Sequence, residues 1–320
     1  MSAQPRVGVI DFYGLQHVTE AQVRAELGVR EGDPLPRSKG DTEGRLDQIP
    51  GVVESHLEAV CCDDGKMILY VGIEERGAHH FETRDPPDTD ADLPVEVTNA
   101  YKRFLAASEL ASRYGQNKED LTQGHALSQN PEEREVQQEF PAIVTRYIGD
   151  LRHTLHDSSD EEQRAIAVYV LAYARQKLDI INDLQYALKD DDPGVRLNAV
   201  HALKALAVYA QLHPEAGVKI EPTWLIEMLN SLSWQDRTEA LDVLSILAAK
   251  ADPDTLQEIR DRGLEALVEM ARWKTLAHAL PAYLMLGKIA GMPDAEVQAA
   301  WTRGDRESVI QMAMGPKKRK

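Results

Sequence analysis

His153 and His156 stand three residues apart, with Asp150 and Asp157 beside them. On a helix that spacing brings two imidazoles to one side, as a divalent metal requires. No His-Glu-x-x-His or Glu-x-x-His set accompanies them, so a solvated helix end is the simpler reading. His79-His80 with Glu82 offers the same ligand types in a segment that reads as an exposed loop. The acidic run from Asp85 to Asp92 lacks the Asp-x-Asp-x-Asp-Gly order that folds around calcium and reads as a solvated linker. Cys61 and Cys62, the only two cysteines, are adjacent. Redox work needs a Cys-x-x-Cys spacing or an activating neighbour, and vicinal disulfides are strained. Two separate thiols are therefore expected, one buried and one near a turn. Phosphate-binding glycine loops and the Gly-x-Ser-x-Gly elbow are absent. The expectation is a chain that is not an enzyme, with no catalytic, metal or cofactor-binding residues.

Three arginines carry a different signal. Arg164, Arg196 and Arg237 each open an Arg-x-x-Ala-x-x-x-Leu run, ending at Leu171, Leu203 and Leu244. Each run follows an apolar helical stretch: Ile148/Leu151/Leu155, Ile181/Leu184/Leu188 and Leu225/Met228/Leu229. The runs lie about 32 and about 41 residues apart, within the range of helical solenoids. Asp190-Asp191-Asp192-Pro193-Gly194-Val195-Arg196 is the clearest hinge between paired helices. It resembles the HEAT-repeat signature, in which a turn Asp and the Arg after the Val stack along the solenoid. The first copy has Gln163 in place of that Val and the third has Asp236. A fourth, degenerate pair runs through Leu264, Leu267 and Val268 and then Ala282, Leu286 and Ile289. The three arginines are expected to form an internal ladder with turn acids rather than a basic binding row. Each helix pair has an apolar face too wide to stay wet, and stacking hides it. Four buried Leu or Ile side chains contribute on the order of 6–12 kcal/mol before entropy.

The first 75 residues alternate between strand and helix signals. Val7 to Tyr13 is β-branched and aromatic and stops at Gly14. Thr19 and Gln22 are spaced as a capping box for a helix carrying Val23 and Leu27, which Gly28 ends. A second helix starts at Ser38 or Asp41 and passes Leu46 and Ile49. Two strands follow around the turn Asp63-Asp64-Gly65. Alternation places Val53, Leu57, Ala59 and Cys61 on one face and Glu54, His56 and Glu58 on the other. Met67, Leu69, Val71 and Ile73 point inward on the return strand. Val7, Val9, Val60, Ile68 and Tyr70 are left on the outer face, which should be covered, by the helical domain or else by a partner.

The β-α-α-β-β order resembles the POTRA (polypeptide-transport-associated) domain of outer-membrane assembly and two-partner secretion proteins. Ile10-x-Phe12-x-Gly14, Gly32-Asp33-Pro34-Leu35, Leu46-x-x-Ile49-x-Gly51 and Leu69-x-Val71-x-Ile73-Glu74 carry the likeness. The resemblance implies handling of extended polypeptide in a bacterial envelope compartment.

The expected fold class is thus α+β and multidomain: a POTRA-like domain over 1–76, an acidic, proline-rich linker over 77–94, and an α-helical HEAT-like domain over 95–315. Nothing in that last region reads as a strand, and Pro141 predicts a kink or break near Phe140. A basic tail, 316–320, is expected to fray. With 53 acidic against 36 basic residues the net charge is −17, which disfavours nucleic acid and anionic membranes. No apolar run approaches the roughly 20 residues of a transmembrane helix, and Met1 to Pro5 lacks a signal-peptide apolar region. The expected location is the bacterial envelope, periplasm or exterior if a signal peptide was removed, and otherwise the cytoplasm. The expected role is a non-enzymatic scaffold that binds a protein or peptide partner through the solenoid surface and by strand addition to the small sheet; the alternatives are a structural subunit of an envelope assembly or an enzyme with its site in the helical domain. Its binding residues are expected to be Val9, His56, Ile68 and Tyr70 on the sheet and Arg196 and His201 on the repeats.

Overall fold

The structure, a computed structural model, describes residues 5–250 and 253–315. The tail 316–320 and Met1–Gln4 lie outside the described residues. The chain forms two compact units. The first joins 1–81 to 225–320, and the second is 82–224. The helical stretch expected as one domain over 95–315 is therefore divided between them.

The first unit begins with β1 (Val7–Tyr13), α1 (Glu20–Leu27), α2 (Lys39–Leu46), β2 (Val52–Asp63) and β3 (Lys66–Glu75). The order β-α-α-β-β is as expected. The sheet runs β1-β3-β2, with β1 parallel and β2 antiparallel to β3. Thr19 and Gln22 close the capping box, and Gly28 ends α1 at φ 73°. Helices and sheet enclose Ile10, Val23, Leu27, Leu46, Leu69 and Val71. Glu75 is buried at the end of β3 and accepts hydrogen bonds from the backbone N–H of Gln16, His17 and Val18 at 2.7–3.0 Å.

Three register shifts interrupt the simple alternation, the third between Val60 and Asp63. The register slips at Gly8, which turns Val7 into the core instead of onto the outer face. It slips again at Val53, so Val52 faces inward and Val53 is 51% exposed. Each extra residue inverts the parity of what lies beyond it. Cys61 and Cys62 also depart from expectation. Both are exposed near the tip of β2 and are joined to each other as a disulfide.

The second unit contains α3 (Val95–Arg113), β4 (Glu119–Asp120), β5 (Leu127–Ser128), α4 (Pro131–Gln137), α5 (Phe140–Asp157), α6 (Glu161–Leu171), α7 (Ile181–Ala187) and α8 (Pro193–Leu212). The short β4–β5 pair corrects the expectation of an all-helical stretch. Pro141 sits in the first turn of α5, so the chain breaks before it rather than kinking. Asn130 caps α4 and Asp192 caps α8, each followed by proline at the first helical position. The acidic segment is a strap on this unit. Thr89 bridges to Ser158, Leu93 N–H donates to Gln163 at 3.0 Å, and Ala91 and Leu93 are buried.

α9 (Thr223–Met228) crosses the boundary. The first unit then adds α10 (Trp234–Leu247), α11 (Pro253–Ala271), α12 (Leu276–Ile289), α13 (Asp294–Thr302) and α14 (Arg306–Met314).

Candidate functional site

The outer face of the small sheet is covered by helices of its own unit. Ile68 and Tyr70 are buried, as is Tyr13. The Tyr70 ring stacks on Trp234 at 5.2 Å and lies 5.0 Å from Trp273, which also packs on Tyr13. Tyr13 donates its hydroxyl to Leu232 O at 2.6 Å, and the Tyr70 hydroxyl meets His278 Nδ1 at 2.7 Å. Burial holds both phenols far above their ordinary range. Gly72 is the close-approach point. A Cβ there would stand 2.6 Å from the Tyr13 ring and 2.8 Å from Leu232 O.

Two acids of this face answer helix N-termini. Asp11 accepts from Lys274 N–H, just before α12, at 3.0 and 3.1 Å. Glu58 accepts from Trp234 N–H, the first residue of α10, at 3.1 Å. Unpaired N–H groups and the positive end of the helix dipole suit a carboxylate. Burial nonetheless raises the affinity of both acids for a proton. In return, Gly14 N–H donates to Glu269 of α11 at 3.1 Å.

Beside this packing lies a polar cleft of about 700 Å³. Several of its charges pair with one another: His79 with Glu227 at 3.0 Å, Arg262 with Glu227, and Arg237 with Glu269 at 3.3 Å. Arg237 also lies over the Tyr13 ring and donates to Ser231 O. Paired in this way, these groups act as walls rather than as free nucleophiles or bases.

In the second unit Arg164 is almost wholly buried and reaches both oxygens of Asp190 as well as Asp191, at 2.8 Å for the closest contacts. Arg196 donates to the carbonyls of Asp190 and Asp191 at 2.9 Å. The ladder between repeat arginines and turn acids is present here. Arg84 of the strap adds a contact to Asp190 at 3.4 Å and stacks on Tyr186.

The six residues expected to bind a partner do not form one patch. Ile68, Tyr70 and Arg196 are buried inside their units, so a partner would have to displace packed structure to touch them. Covering side chains and the turn carbonyls already satisfy them. Val9 is half-buried on the sheet. His56 lies between Glu43 at 3.7 Å and Glu58 at 3.9 Å, and His201 pairs with Glu119 at 2.8 Å. His153 and His156 bind separate acids, Asp157 at 2.8 Å and Asp183 at 3.2 Å. Among the described residues no group of three His, Cys, Asp or Glu is placed to hold a metal ion. Trp234, Trp273 and His278 are the covering residues that sequence reasoning missed. Their one signal was tryptophan in an otherwise aliphatic repeat region.

Residues 149–216 match the HEAT-repeat family. The match runs from within α5 past the end of α8 and includes Arg164, the Asp190 turn and Arg196. No curated protein matches the chain. HEAT repeats generally mediate contacts between proteins and are typically non-enzymatic. No described helix is long and apolar enough to cross a membrane.

Proposed function

We propose that this protein is a non-enzymatic scaffold that binds a polypeptide partner across the exposed helices of its repeats. The observation that carries this reading is the HEAT match over 149–216, together with its fixed arginine ladder. A ladder saturated from inside stiffens the helix pairs and leaves their outer residues free for recognition. His201 on α8, half-exposed and paired only across a surface contact, is the partner-facing position of the second unit.

The small sheet is the second contact point. By its β-α-α-β-β order it resembles a POTRA domain, and on that resemblance it receives an extended strand in a bacterial envelope assembly. The free edge is narrow. Leu57 N–H of β2 is already taken by Glu43 at 2.7 Å, and Asp33 O occupies Val7 N–H of β1. Strand addition is therefore assigned to the exposed end of β2 at Ala59–Cys62. The covered outer face takes no part.

The test begins with capture on the full chain in native lysate, followed by recombination of purified partner and purified chain. Stoichiometric binding that His201→Glu weakens at least tenfold, with the unfolding midpoint unchanged, supports the scaffold. Failure of every captured protein to bind once purified sinks it.

A further inference from the structure

The second unit holds a pocket of about 450 Å³ between the β4–β5 segment, the start of α5 and the 3₁₀ turn Lys177–Asp179. Four of its lining residues are basic: His125, Arg134, Arg175 and Lys177. Tyr209 and Gln123 add polar atoms to the wall. A basic concavity is unexpected in a chain of net charge −17.

The balance of charge inside the pocket is the telling feature. Lys177 is half-buried, and its ammonium donates to His125 Nδ1 at 3.0 Å and to Ala172 O at 3.4 Å. Both acceptors are neutral groups, and among the described residues no carboxylate pairs with this lysine. Arg134 gives one hydrogen bond, to the backbone carbonyl of Ser128 at 3.3 Å. Arg175 is exposed at the rim. The nearby acid, Asp120, is turned to its own loop, where it accepts from Thr122 N–H at 2.9 Å and Thr122 Oγ1 at 2.6 Å. Glu119 is held by His201. A partly buried cation without a counter-charge is destabilising unless something supplies one.

The electrostatics agree with the geometry. Burial lowers the Lys177 ammonium to about 8. Burial first, and then the Lys177 charge, lower His125 to about 4. His125 is therefore neutral at pH 7 and free to accept the lysine's hydrogen bond. Gly124 (φ 71°) makes the approach possible, since a Cβ there would stand 3.0 Å from Lys177 Cε and 3.2 Å from Tyr209 Cγ.

We infer that this pocket is a binding site for a small anionic ligand, whose carboxylate or phosphate group sits against Lys177, Arg175 and Arg134. The two arginines supply planar forks for a pair of anionic oxygens and Lys177 supplies the point charge. The volume suits a metabolite-sized molecule or the end of a peptide side chain rather than a folded surface.

The test is calorimetric titration of the full chain with inorganic phosphate and, separately, with succinate, against sodium chloride of equal ionic strength. The variants are K177Q, R175Q and, as a control for lost charge, K219Q on an exposed lysine. Saturable binding of either probe is expected, weakened at least tenfold by K177Q and by R175Q and unchanged by K219Q. The tighter probe tells phosphate from carboxylate. Succinate affinity is also expected to fall between pH 7 and pH 9.5 as the lysine loses its proton. Arg175 is exposed, so R175Q keeps the test sharp if K177Q fails to fold. Heats indistinguishable from those of chloride, or equal binding by R175Q and wild type, would overturn the inference.

Discussion

The outer face of the small sheet and the pocket at Lys177 both take charged groups out of water, and they resolve the problem in opposite ways. At the covered face of the sheet the acids have answering donors: Asp11 meets Lys274 N–H, Glu58 meets Trp234 N–H, and Glu269 of α11 meets Gly14 N–H. At Lys177 the cation meets only neutral acceptors. The difference separates a structural seam from a receptive site. Where donors and acceptors cancel within the chain, the polar groups fix one packing arrangement. Where they do not, the surplus charge is available to something outside.

The balanced kind has its strongest instance at Arg164, and breaking it should give the largest effect. Arg164→Met leaves the buried Asp190 carboxylate with the Asp192 N–H at 3.1 Å and the longer Arg84 contact, and is expected to lower unfolding free energy by about 3–5 kcal/mol. Urea unfolding of the variant measures this. The double substitution Arg164→Met with Asp190→Asn should recover part of the loss, because the stranded charge goes with it. A loss as small as that of a surface ion pair would mean the ladder contributes nothing special.

Gly72→Ala probes the seam by volume instead of charge. Its methyl group would collide with the Tyr13 ring, which packs on Trp273, and with Leu232 O, which accepts the Tyr13 hydroxyl bond. Overpacking of this sort costs about 1–3 kcal/mol. Near-ultraviolet circular dichroism should change with it, since two tyrosines and two tryptophans share the contact. Tyr70→Phe removes the hydroxyl and its bond to His278 and should cost about 1 kcal/mol.

These expectations rest on features of unequal legibility in the sequence. The HEAT repeats over 149–216 were readable because Arg-x-x-Ala-x-x-x-Leu recurs there and because Asp-Pro-Gly-Val-Arg encodes a cap, a turn and a ladder rung together. The β-α-α-β-β order was readable from alternation and from capping residues such as Thr19 and Gln22. Strand parity was not, because Gly8 and Val53 each add a residue that no period-two rule anticipates. The partner of the outer face was half legible. Ile68 and Tyr70 announced that it must be covered, but coverage by 225–320 is a contact between segments more than 150 residues apart, as in the Tyr13–Leu232 and Tyr70–His278 bonds. The Lys177 pocket was invisible for a related reason. Its residues come from the β4–β5 segment, the helix ends and the 3₁₀ turn, and no local spacing joins His125 to Lys177.

The smallest expected effect is the one that best sharpens the contrast between acids that gain from burial and acids that do not. Against burial, which alone would raise it, hydrogen bonds from the backbone N–H groups of Gln16, Val18 and His17 hold the Glu75 carboxyl below its usual range. A depressed folded-state pKa means stability that is present above the ordinary value of 4.5 and lost as pH falls through the lower folded value. Asp11 has the opposite sign. Burial raises it, so its contribution is present below the ordinary value of 3.8 and lost as pH rises through the higher folded value. Urea midpoints from pH 7 down to pH 3 should therefore separate two single substitutions. Glu75→Gln should cost roughly 1 kcal/mol at pH 7, the net worth of a hydrogen bond to a charged group less what the amide retains. It should also flatten the acid-side decline of the wild type. Asp11→Asn should steepen that decline, because it removes a term that improves on acidification. Parallel curves for the two variants would mean that both carboxyls behave as solvent-exposed groups, and the distinction between donor-rich and donor-poor burial would fail at the scale of a single residue.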